Sequence, residues 1–220
     1  MRVVTAAPPR HLRAPVRLDE ATLRPAAEAL AARDADLAGI LGRHGPPPLW
    51  ARQPGFETLV AIILEQQVSL RSGTAALNRL RSAAGEMTPD AVAALDEEGA
   101  RAAGLTRQKA RYVVELARSV VDGRFDPNGL ETLDDDAARG ELIGLLGVGR
   151  WTADIYLLMA LGRPDVWPDG DLALATAMRR AKRLASLPDA ADQRAIAEPW
   201  RPFRAVGARL LWHAYLAGER

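Results

Sequence analysis

The sequence predicts an all-α protein, and its composition and periodicity carry that prediction. Alanine, leucine and arginine dominate, and apolar residues recur at helical spacing with few of the β-branched alternations typical of strands. Short clusters of glycine, proline and asparagine separate the periodic runs. At 220 residues the chain can form one sizeable domain or two small lobes that share an interface. We expect two helical lobes with a cleft between them, residues 56–123 forming one lobe and residues 21–55 with 124–220 the other.

The N-terminal part is expected to hold an extended leader and two short helices. Residues 1–20 are rich in proline and arginine and show no periodicity. Helices are predicted over residues 25–32 and 34–43, and a Gly-Pro-Pro-Pro stretch follows the second. A single folded domain is therefore expected over residues 21–220.

The middle of the chain shows a series of helical runs with recognisable start signals. Ser69, Thr88 and Thr106 each stand where an N-cap residue is expected. The helices predicted in this part cover residues 56–66, 70–84, 89–95, 97–103 and 107–121.

The stretch from Glu141 to Leu174 is the one around which we expect the rest to be organised. Apolar residues at i, i+3 and i+4 flank Gly147-Val148-Gly149 on both sides, which indicates a helix, a tight turn and a second helix. Two glycines around one apolar residue let the backbone adopt φ > 0 and approach another molecule closely. The second helix then begins with free amide groups, which suit a phosphate. An ordinary helical hairpin can contain the same Gly-x-Gly, so this motif alone leaves both interpretations open.

The second half of this stretch adds a carboxylate. Asp171 opens an apolar helical run after a turn-rich segment, a place where Asp most often serves as an N-cap. The combined pattern resembles the helix-hairpin-helix DNA glycosylases, and among them the branch that removes alkylated bases such as 3-methyladenine. It resembles the compact form without an N-terminal β domain. The resemblance is carried by LGVG at 146–149, Thr152-Ala153 and WPDGDLAL at 167–174, and it extends over roughly residues 49–216.

The resemblance implies a catalytic role for Asp171 and an aromatic base pocket. In the family, the Asp at the position of Asp171 is the catalytic carboxylate. Trp151 and Trp212 match positions that line the base pocket, where a π-face attracts a cationic base. Where the best-known family member has a Tyr, this chain has Ile155, and we assign the neighbouring Tyr156 to the pocket. Ordinary core packing is the alternative interpretation for each Trp.

The resemblance also implies which residues contact DNA. In the family, the Gln-Gln-Val-Ser junction faces the DNA, and one side chain there fills the gap left by an extruded nucleotide. We assign Gln67 to this plug and Gln66 to a supporting or lesion-side contact in the base pocket. The two glutamines can equally serve to tie a loop through hydrogen bonds. The predicted DNA-binding residues are Gln67, Gly147, Val148, Gly149, Arg150 and Thr152.

On this resemblance we expect a monofunctional DNA glycosylase of the DNA-3-methyladenine glycosylase II type. It would flip cationic purines such as 3-methyladenine and 7-methylguanine into an active-site cleft and hydrolyse the N-glycosidic bond, in base excision repair. Relatives that also cut the backbone use a Lys amine where this chain has Trp151, so no lyase activity is expected.

Two alternatives to this function come from other classes. A non-catalytic helix-hairpin-helix protein that binds damaged DNA would not need a carboxylate at Asp171, although Asp169 leaves the identity of that carboxylate open. The second alternative is a helical interaction module that binds no nucleic acid. On this hypothesis the hairpin, the glutamine pair and the Asp171 segment would occur in one sequence only by chance.

Composition excludes several types of cofactor site. The chain has no cysteine, which excludes disulfides, thiolate zinc sites and cysteine-ligated iron–sulfur clusters. No metal site and no required cofactor are expected, and the resemblance allows a monovalent cation at the hairpin. The expected partner is double-stranded DNA that contains alkylated bases, bound by a monomer.

Charge and hydropathy give weaker indications of the binding partner and the cellular location. The net charge of +1 argues weakly against a nucleic-acid-binding protein, although the distribution of charge matters more than its sum. A local basic cluster is formed by Arg179, Arg180, Lys182 and Arg183. No apolar run has the length of a signal-peptide core or a membrane span. We expect no membrane partner and a cytoplasmic, nucleoid-associated location of the bacterial type.

Overall fold

The computed structural model describes residues 17–218, and all of the regular structure in that range is helical. The α-helices are α1 Glu20–Ala31, α2 Ala35–His44, α3 Phe56–Glu65, α4 Leu70–Ala84, α5 Pro89–Ala102, α6 Arg107–Val121, α7 Asp135–Ile143, α8 Arg150–Met159, α9 Leu172–Ala181, α10 Ala190–Ala197 and α11 Arg204–Leu216. Short 3-10 helices lie at Gly129–Thr132 and Glu198–Trp200. The prediction of an all-α protein is confirmed. Most of the predicted leader lies outside the described residues.

The predicted start signals act as N-caps. The side chains of Ser69, Thr88 and Thr106 each accept a hydrogen bond at 3.2 Å from a backbone amide in the first turn of the helix that follows. Each cap satisfies one of the amides that a helix start leaves without an intrahelical partner. The local sequence therefore fixes where α4, α5 and α6 begin.

The start of α1 differs from the prediction, whereas the predicted break within α5 is confirmed. Helix α1 begins at Glu20, ahead of the predicted start at residue 25, because Asp19 and Thr22 form a capping box. Asp96 interrupts α5 with φ of +55°. Its side chain accepts hydrogen bonds from the backbone amides two and three residues later, Glu98 at 2.8 Å and Gly99 at 3.0 Å. The two helices predicted on either side of Asp96 are therefore distinct segments.

The chain forms two compact units. The first contains the described residues up to Leu49, the segment Arg163–Trp167 and the chain from Leu172 onward. The second contains Trp50–Gly162 and Pro168–Asp171. This division differs from the predicted lobes, because the hairpin helices α7 and α8 belong with α3–α6, and α3 packs directly on α8. Periodicity locates helices, but it does not reveal which helices pack together.

The first unit packs around Trp200, which is 2% exposed. Its ring lies edge-on to Trp167 with centroids 5.8 Å apart, and its indole N–H donates to Asp34 at 2.7 Å. The Lys182 amine donates to Asp34 and, at 3.0 Å, to Asp36. This member of the predicted basic cluster is thus paired inside its own unit.

None of the described helices combines the length and the apolar character that crossing a bilayer requires.

Candidate functional site

The hairpin joins α7 to α8 through a turn whose shape depends on Gly147. Gly147 adopts φ of +83°, and a Cβ added there would overlap the ring of Tyr112 on α6. Both the backbone conformation and the available space therefore require glycine. Gly149 differs, because its backbone is extended, with φ of −90° and ψ of 176°, and a Cβ there would meet no atom within 4 Å. Of the two hairpin glycines, only Gly147 adopts positive φ.

The start of α8 presents backbone amides without a side-chain cap. The first helical bond runs from the Ala153 amide to the Gly149 carbonyl at 3.0 Å, and Gly149 has no side chain that could cap the amides before it. Both Gly149 and Arg150 are exposed. The Val148 amide is used within the turn, where it donates to the Leu145 carbonyl at 3.1 Å. An uncapped, exposed helix start with the positive end of its dipole outward suits an anion such as a phosphate.

Two of the predicted DNA-binding residues have buried side chains. Val148 is 5% exposed and Thr152 is 3% exposed. Their side chains hold the turn from inside, so any contact that these two residues make with DNA would go through the backbone.

Gln66 ties the end of α3 to the hairpin. Its side-chain amide donates to the Gly147 carbonyl at 2.9 Å and to the Thr152 hydroxyl at 3.0 Å. These two bonds use both N–H groups of the amide. Gln66 therefore acts as a loop tie, the alternative that the sequence left open, and its predicted lesion-side contact remains a prediction.

Gln67 projects from the same junction in a left-handed backbone conformation. Its φ is +56°, which is uncommon for a residue other than glycine and is found at sites where the surrounding structure imposes it. The side chain is exposed, and the apolar residues beside it, Val68 and Leu70, are 45% and 68% exposed. The predicted plug thus stands on an exposed, apolar edge of the second unit.

Lys109 supports this junction from beneath. Its amine donates to the carbonyls of Leu64 at 2.7 Å and Gln66 at 3.1 Å, so it caps the C-terminal end of α3. Burial lowers the pKa of the Lys109 amine. No periodic or motif signal in the sequence indicates this role, which depends on how α6 packs on α3.

The start of α8 also contacts the segment that carries the predicted catalytic carboxylate. The indole N–H of Trp151 donates to Oδ2 of Asp171 at 3.0 Å, and both side chains are half-buried. Such a bond to an ionised acceptor is stronger than one between neutral groups. Gly170, with φ of +79°, turns the chain just before Asp171, the residue that precedes α9. The structure thus brings together Trp151 and Asp171, which were predicted separately.

A chain of ion pairs lies behind this contact. The Arg150 Nε lies 2.9 Å from Oδ2 of Asp169. Asp154 on α8 is fully buried and pairs with Arg139 on α7 at 2.7 Å, and burial raises the pKa of Asp154 despite that partner. The Arg139–Asp154 pair joins the two hairpin helices. Sequence inspection missed it, although a lone Asp on the apolar face of α8 is a signal that a buried partner is needed.

No cluster of three or more potential metal ligands of the His, Asp or Glu type occurs among residues 17–218.

Comparison with known proteins identifies the family. The family model described as HhH-GPD superfamily base excision DNA repair protein matches residues 60–202, which is well over half of the chain. The chain belongs to this superfamily. The matched region includes the glutamine junction, the hairpin and Asp171.

Relatives of this HhH-GPD protein are named as DNA-3-methyladenine glycosylases. DNA-3-methyladenine glycosylase 1 of Schizosaccharomyces pombe is 27% identical over 180 residues, which cover 80% of this chain and 79% of the relative. DNA-3-methyladenine glycosylase 2 of Escherichia coli is 29% identical, covering 80% of this chain and 64% of the relative. A Bacillus subtilis relative is 26% identical over 81% of this chain and 65% of its own length. The chain thus spans slightly less than two thirds of these two bacterial relatives.

Among solved structures, the HhH-GPD fold is matched by a Schizosaccharomyces pombe 3-methyladenine DNA glycosylase in complex with abasic DNA. The TM-score is 0.79 at 25% identity, and the match covers 89% of this chain and 98% of that one. A DNA-3-methyladenine glycosidase from Bacillus halodurans matches with a TM-score of 0.76 at 26% identity over 87% of this chain and 89% of that chain.

The assignment of Tyr156 to the base pocket of this HhH-GPD protein is not supported by the structure. Tyr156 is fully buried, and its hydroxyl accepts a hydrogen bond from the Gly55 amide at 2.8 Å. Its ring therefore presents no surface to a base. Ile155 itself is 7% exposed.

The remaining tryptophans divide by their surroundings. Trp167 and Trp200 pack against each other and have a structural role. Trp212 lies on α11 of the first unit and is 9% exposed, so its role as a pocket wall remains a prediction. Tyr112, beneath Gly147, is a supporting residue that the sequence reading did not identify.

Proposed function

We propose that the protein is a monofunctional DNA glycosylase that releases alkylated purines such as 3-methyladenine and 7-methylguanine from double-stranded DNA. The reaction is hydrolysis of the N-glycosidic bond at the start of base excision repair. The observation that carries the proposal is the hydrogen bond from Trp151 to Asp171, which holds a carboxylate beside the start of the hairpin's second helix. The names of the relatives support the alkylated-base substrate.

In the proposed complex the hairpin holds a phosphate of the strand that carries the damaged base. Gly149 and Arg150 are exposed at an uncapped helix start, where amides and the helix dipole favour an anion. Contacts of this kind position the strand without reading its sequence. Gln67 fills the gap that the extruded nucleotide leaves, so that the duplex does not close again.

The Asp171 carboxylate then stabilises the positive charge that develops on the sugar. The glycosidic bond breaks through a cation of oxocarbenium character, and a fixed anion close by lowers the energy of that state. The same carboxylate can take a proton from the attacking water. Its place directly before α9 favours a negative charge, because it lies at the positive end of that helix's dipole.

The preference for cationic bases follows from the groups that the site provides. A base that already carries a positive charge leaves as a neutral molecule, so no general acid is needed. The face of Trp151 attracts such a base, a contact worth roughly 0.5–2 kcal/mol depending on desolvation. We expect 3-methyladenine and 7-methylguanine to be released ahead of hypoxanthine and uracil, which are neutral.

The absence of lyase activity is proposed because no lysine amine is available to form a Schiff base. The sequence contains two lysines, Lys109 and Lys182. The Lys182 amine pairs with Asp34 and Asp36. The Lys109 amine has a lowered pKa but is held by two carbonyls at 2.7 and 3.1 Å. Nucleophilic attack on the sugar would require either amine to break these bonds.

The proposed reaction needs no cofactor, and a monovalent cation at the hairpin would serve binding only. Main-chain oxygens of the turn would hold it. The carbonyls of Leu145 and Gly147 each accept one hydrogen bond and keep a second lone pair, with which they would bind such an ion. Its charge would add to the attraction for a phosphate. A rise in melting temperature with K⁺ at constant ionic strength would support this ion.

The test is incubation with DNA methylated by a chemical agent, followed by identification of the released bases. Release of 3-methyladenine and 7-methylguanine, with strands that break only after alkali treatment, is the expected result. Strand breaks without alkali would contradict the monofunctional assignment. Binding of abasic DNA without any base release would favour the non-catalytic binding protein. Sedimentation of the free protein and of its DNA complex tests the expected monomer.

A further inference from the structure

Two contacts connect the start of α8 to the segment Pro168–Asp171. Trp151 donates to Asp171 at 3.0 Å, and Arg150 Nε lies 2.9 Å from Asp169. The donors are consecutive residues at the start of one helix, and the acceptors are two residues apart in one turn. The hairpin is thus connected twice to the turn that carries the candidate catalytic carboxylate.

The Arg150–Asp169 pair is not an ordinary surface ion pair. The Asp169 side chain is 9% exposed, whereas that of Arg150 is 56% exposed. Exposed ion pairs contribute little, but a nearly buried carboxylate depends on the groups that neutralise it. Arg150 therefore reaches from the surface to satisfy a group inside the turn.

Asp154 does not account for the position of the Arg150 side chain. Arg150 Nε lies 3.8 Å from Oδ2 of Asp154, beyond hydrogen-bonding distance. Asp154 already has a closer partner in Arg139, at 2.7 Å. The hydrogen bond that orients Arg150 is the one to Asp169.

Gly170, which lies between the two acceptors, is not fixed by packing of its own. Gly170 adopts φ of +79°, and a Cβ there would meet no atom within 4 Å. A glycine in open space can adopt many conformations, so contacts on either side of Gly170 restrict the turn. Asp169 supplies one contact and Asp171 the other.

We propose that Asp169 is a positioning residue. Arg150 holds Asp169, and Asp169 in turn fixes the turn that positions the Asp171 carboxylate relative to the hairpin. The proposal rests on the proposed function, because the position of Asp171 affects a rate only if Asp171 acts on the substrate. A displacement of about 1 Å at a reacting group can cost roughly 10²-fold in rate. Loss of one of two contacts should cost less than that.

The test compares Asp169→Asn, Arg150→Met and the double variant in single-turnover base release from DNA that contains 7-methylguanine, with enzyme at saturation. Asp169→Asn should slow release by roughly tenfold, an order below the cost of a 1 Å displacement. Its affinity for DNA with a stable abasic-site analogue should change by less than about threefold, because that analogue has no base to release. The double variant should be no slower than the slower single variant, because both changes remove the same contact. Asp169→Glu, which keeps the negative charge, should recover part of the rate.

Asp90→Asn serves as the control, because it removes an exposed negative charge in the first turn of α5 and makes the same change in net charge. Wild-type rate for Asp169→Asn, or rate losses of the two single variants that multiply in the double variant, would overturn the proposal. If Asp169→Asn does not fold, a wild-type rate for Arg150→Met at saturation would overturn it equally. Wild-type protein that releases no alkylated base would overturn the proposed function itself, and this inference with it.

Discussion

The indole N–H of Trp151 points at the Asp171 carboxylate, 3.0 Å away. Trp151 would therefore serve both as an aromatic face for the base and as a hydrogen-bond donor to the catalytic group. Trp151→Phe keeps an aromatic face and removes the donor. Because a hydrogen bond to a charged group is worth about 1.5–3 kcal/mol, we expect the single-turnover rate to fall roughly 10- to 100-fold. Affinity for abasic DNA should hardly change.

A matched control for this change is Trp167→Phe, because the Trp167 indole N–H has no hydrogen-bond partner in the described part of the chain. That variant should release bases at nearly the wild-type rate. If Trp151→Phe is also as fast as wild type, the hydrogen bond has no part in the reaction.

Asp171→Asn should abolish base release and leave DNA binding nearly intact. One preorganised electrostatic group is commonly worth about 10²–10³ in rate, and the proposed mechanism depends on Asp171 almost alone. The measurement is single-turnover release together with affinity for abasic DNA. If Asp169→Asn loses activity completely while Asp171→Asn keeps it, the two carboxylates have been assigned in the wrong order.

The glutamine pair should show two different effects. Gln66→Ala removes the tie between α3 and the hairpin, so binding to damaged and undamaged duplex should weaken alike, and the melting temperature should fall. Leaving the Gly147 carbonyl and Thr152 hydroxyl without this partner costs about 1–3 kcal/mol. Gln67→Ala should leave stability unchanged and weaken only the complex with abasic DNA. Equal effects of both changes on abasic DNA alone would contradict this division of roles.

The hairpin glycines should separate folding from binding. Gly147→Ala should lower the melting temperature markedly, because Gly147 has φ of +83° and Tyr112 occupies the space that a Cβ needs. Gly149→Ala should fold normally, because a Cβ there meets no atom within 4 Å. Its duplex affinity should nevertheless fall if a phosphate approaches that position. Thermal unfolding and duplex titration measure the two effects, and unchanged duplex affinity in folded Gly149→Ala would argue against a phosphate there.

The stability of the protein should fall as the pH drops below the ordinary pKa of histidine. Burial, and then the neighbouring His44 ring at 5.8 Å, lower the pKa of His213. The unfolded chain therefore binds this proton at a higher pH than the folded chain, so stability is full above about pH 6.5 and is lost as the pH falls towards the lower folded pKa. His213→Gln should show a smaller loss of melting temperature between pH 7 and pH 5. An identical pH profile would contradict the prediction.

The local features of the structure and of the candidate site could be predicted from the sequence. N-caps at Ser69, Thr88 and Thr106, and the break at Asp96, are determined by neighbouring residues and were predictable. The Trp151 and Asp171 positions were predictable because a family pattern marks both. What local patterns do not determine is the packing between distant segments, such as the Lys109 cap.

Two further results show the same limit. Arg139 and Asp154 form a buried pair only because α7 and α8 lie side by side, and a charge pattern does not reveal that geometry. Tyr156 was misplaced because every residue of α8 from Thr152 to Leu158 is buried, and local patterns do not reveal a helix that is buried on all of its faces.

The scarcity of lysine affects how the protein would interact with the abasic DNA that base release leaves. The chain has 29 lysine and arginine residues, of which two are lysine and 27 are arginine. Base release leaves an abasic sugar that opens to an aldehyde, and aldehydes condense readily with free amines. A guanidinium stays protonated in proteins, so it can hold a phosphate beside that aldehyde without condensing with it. Under the proposed function, a surface whose positive charge is nearly all arginine would release that product without becoming covalently attached to it.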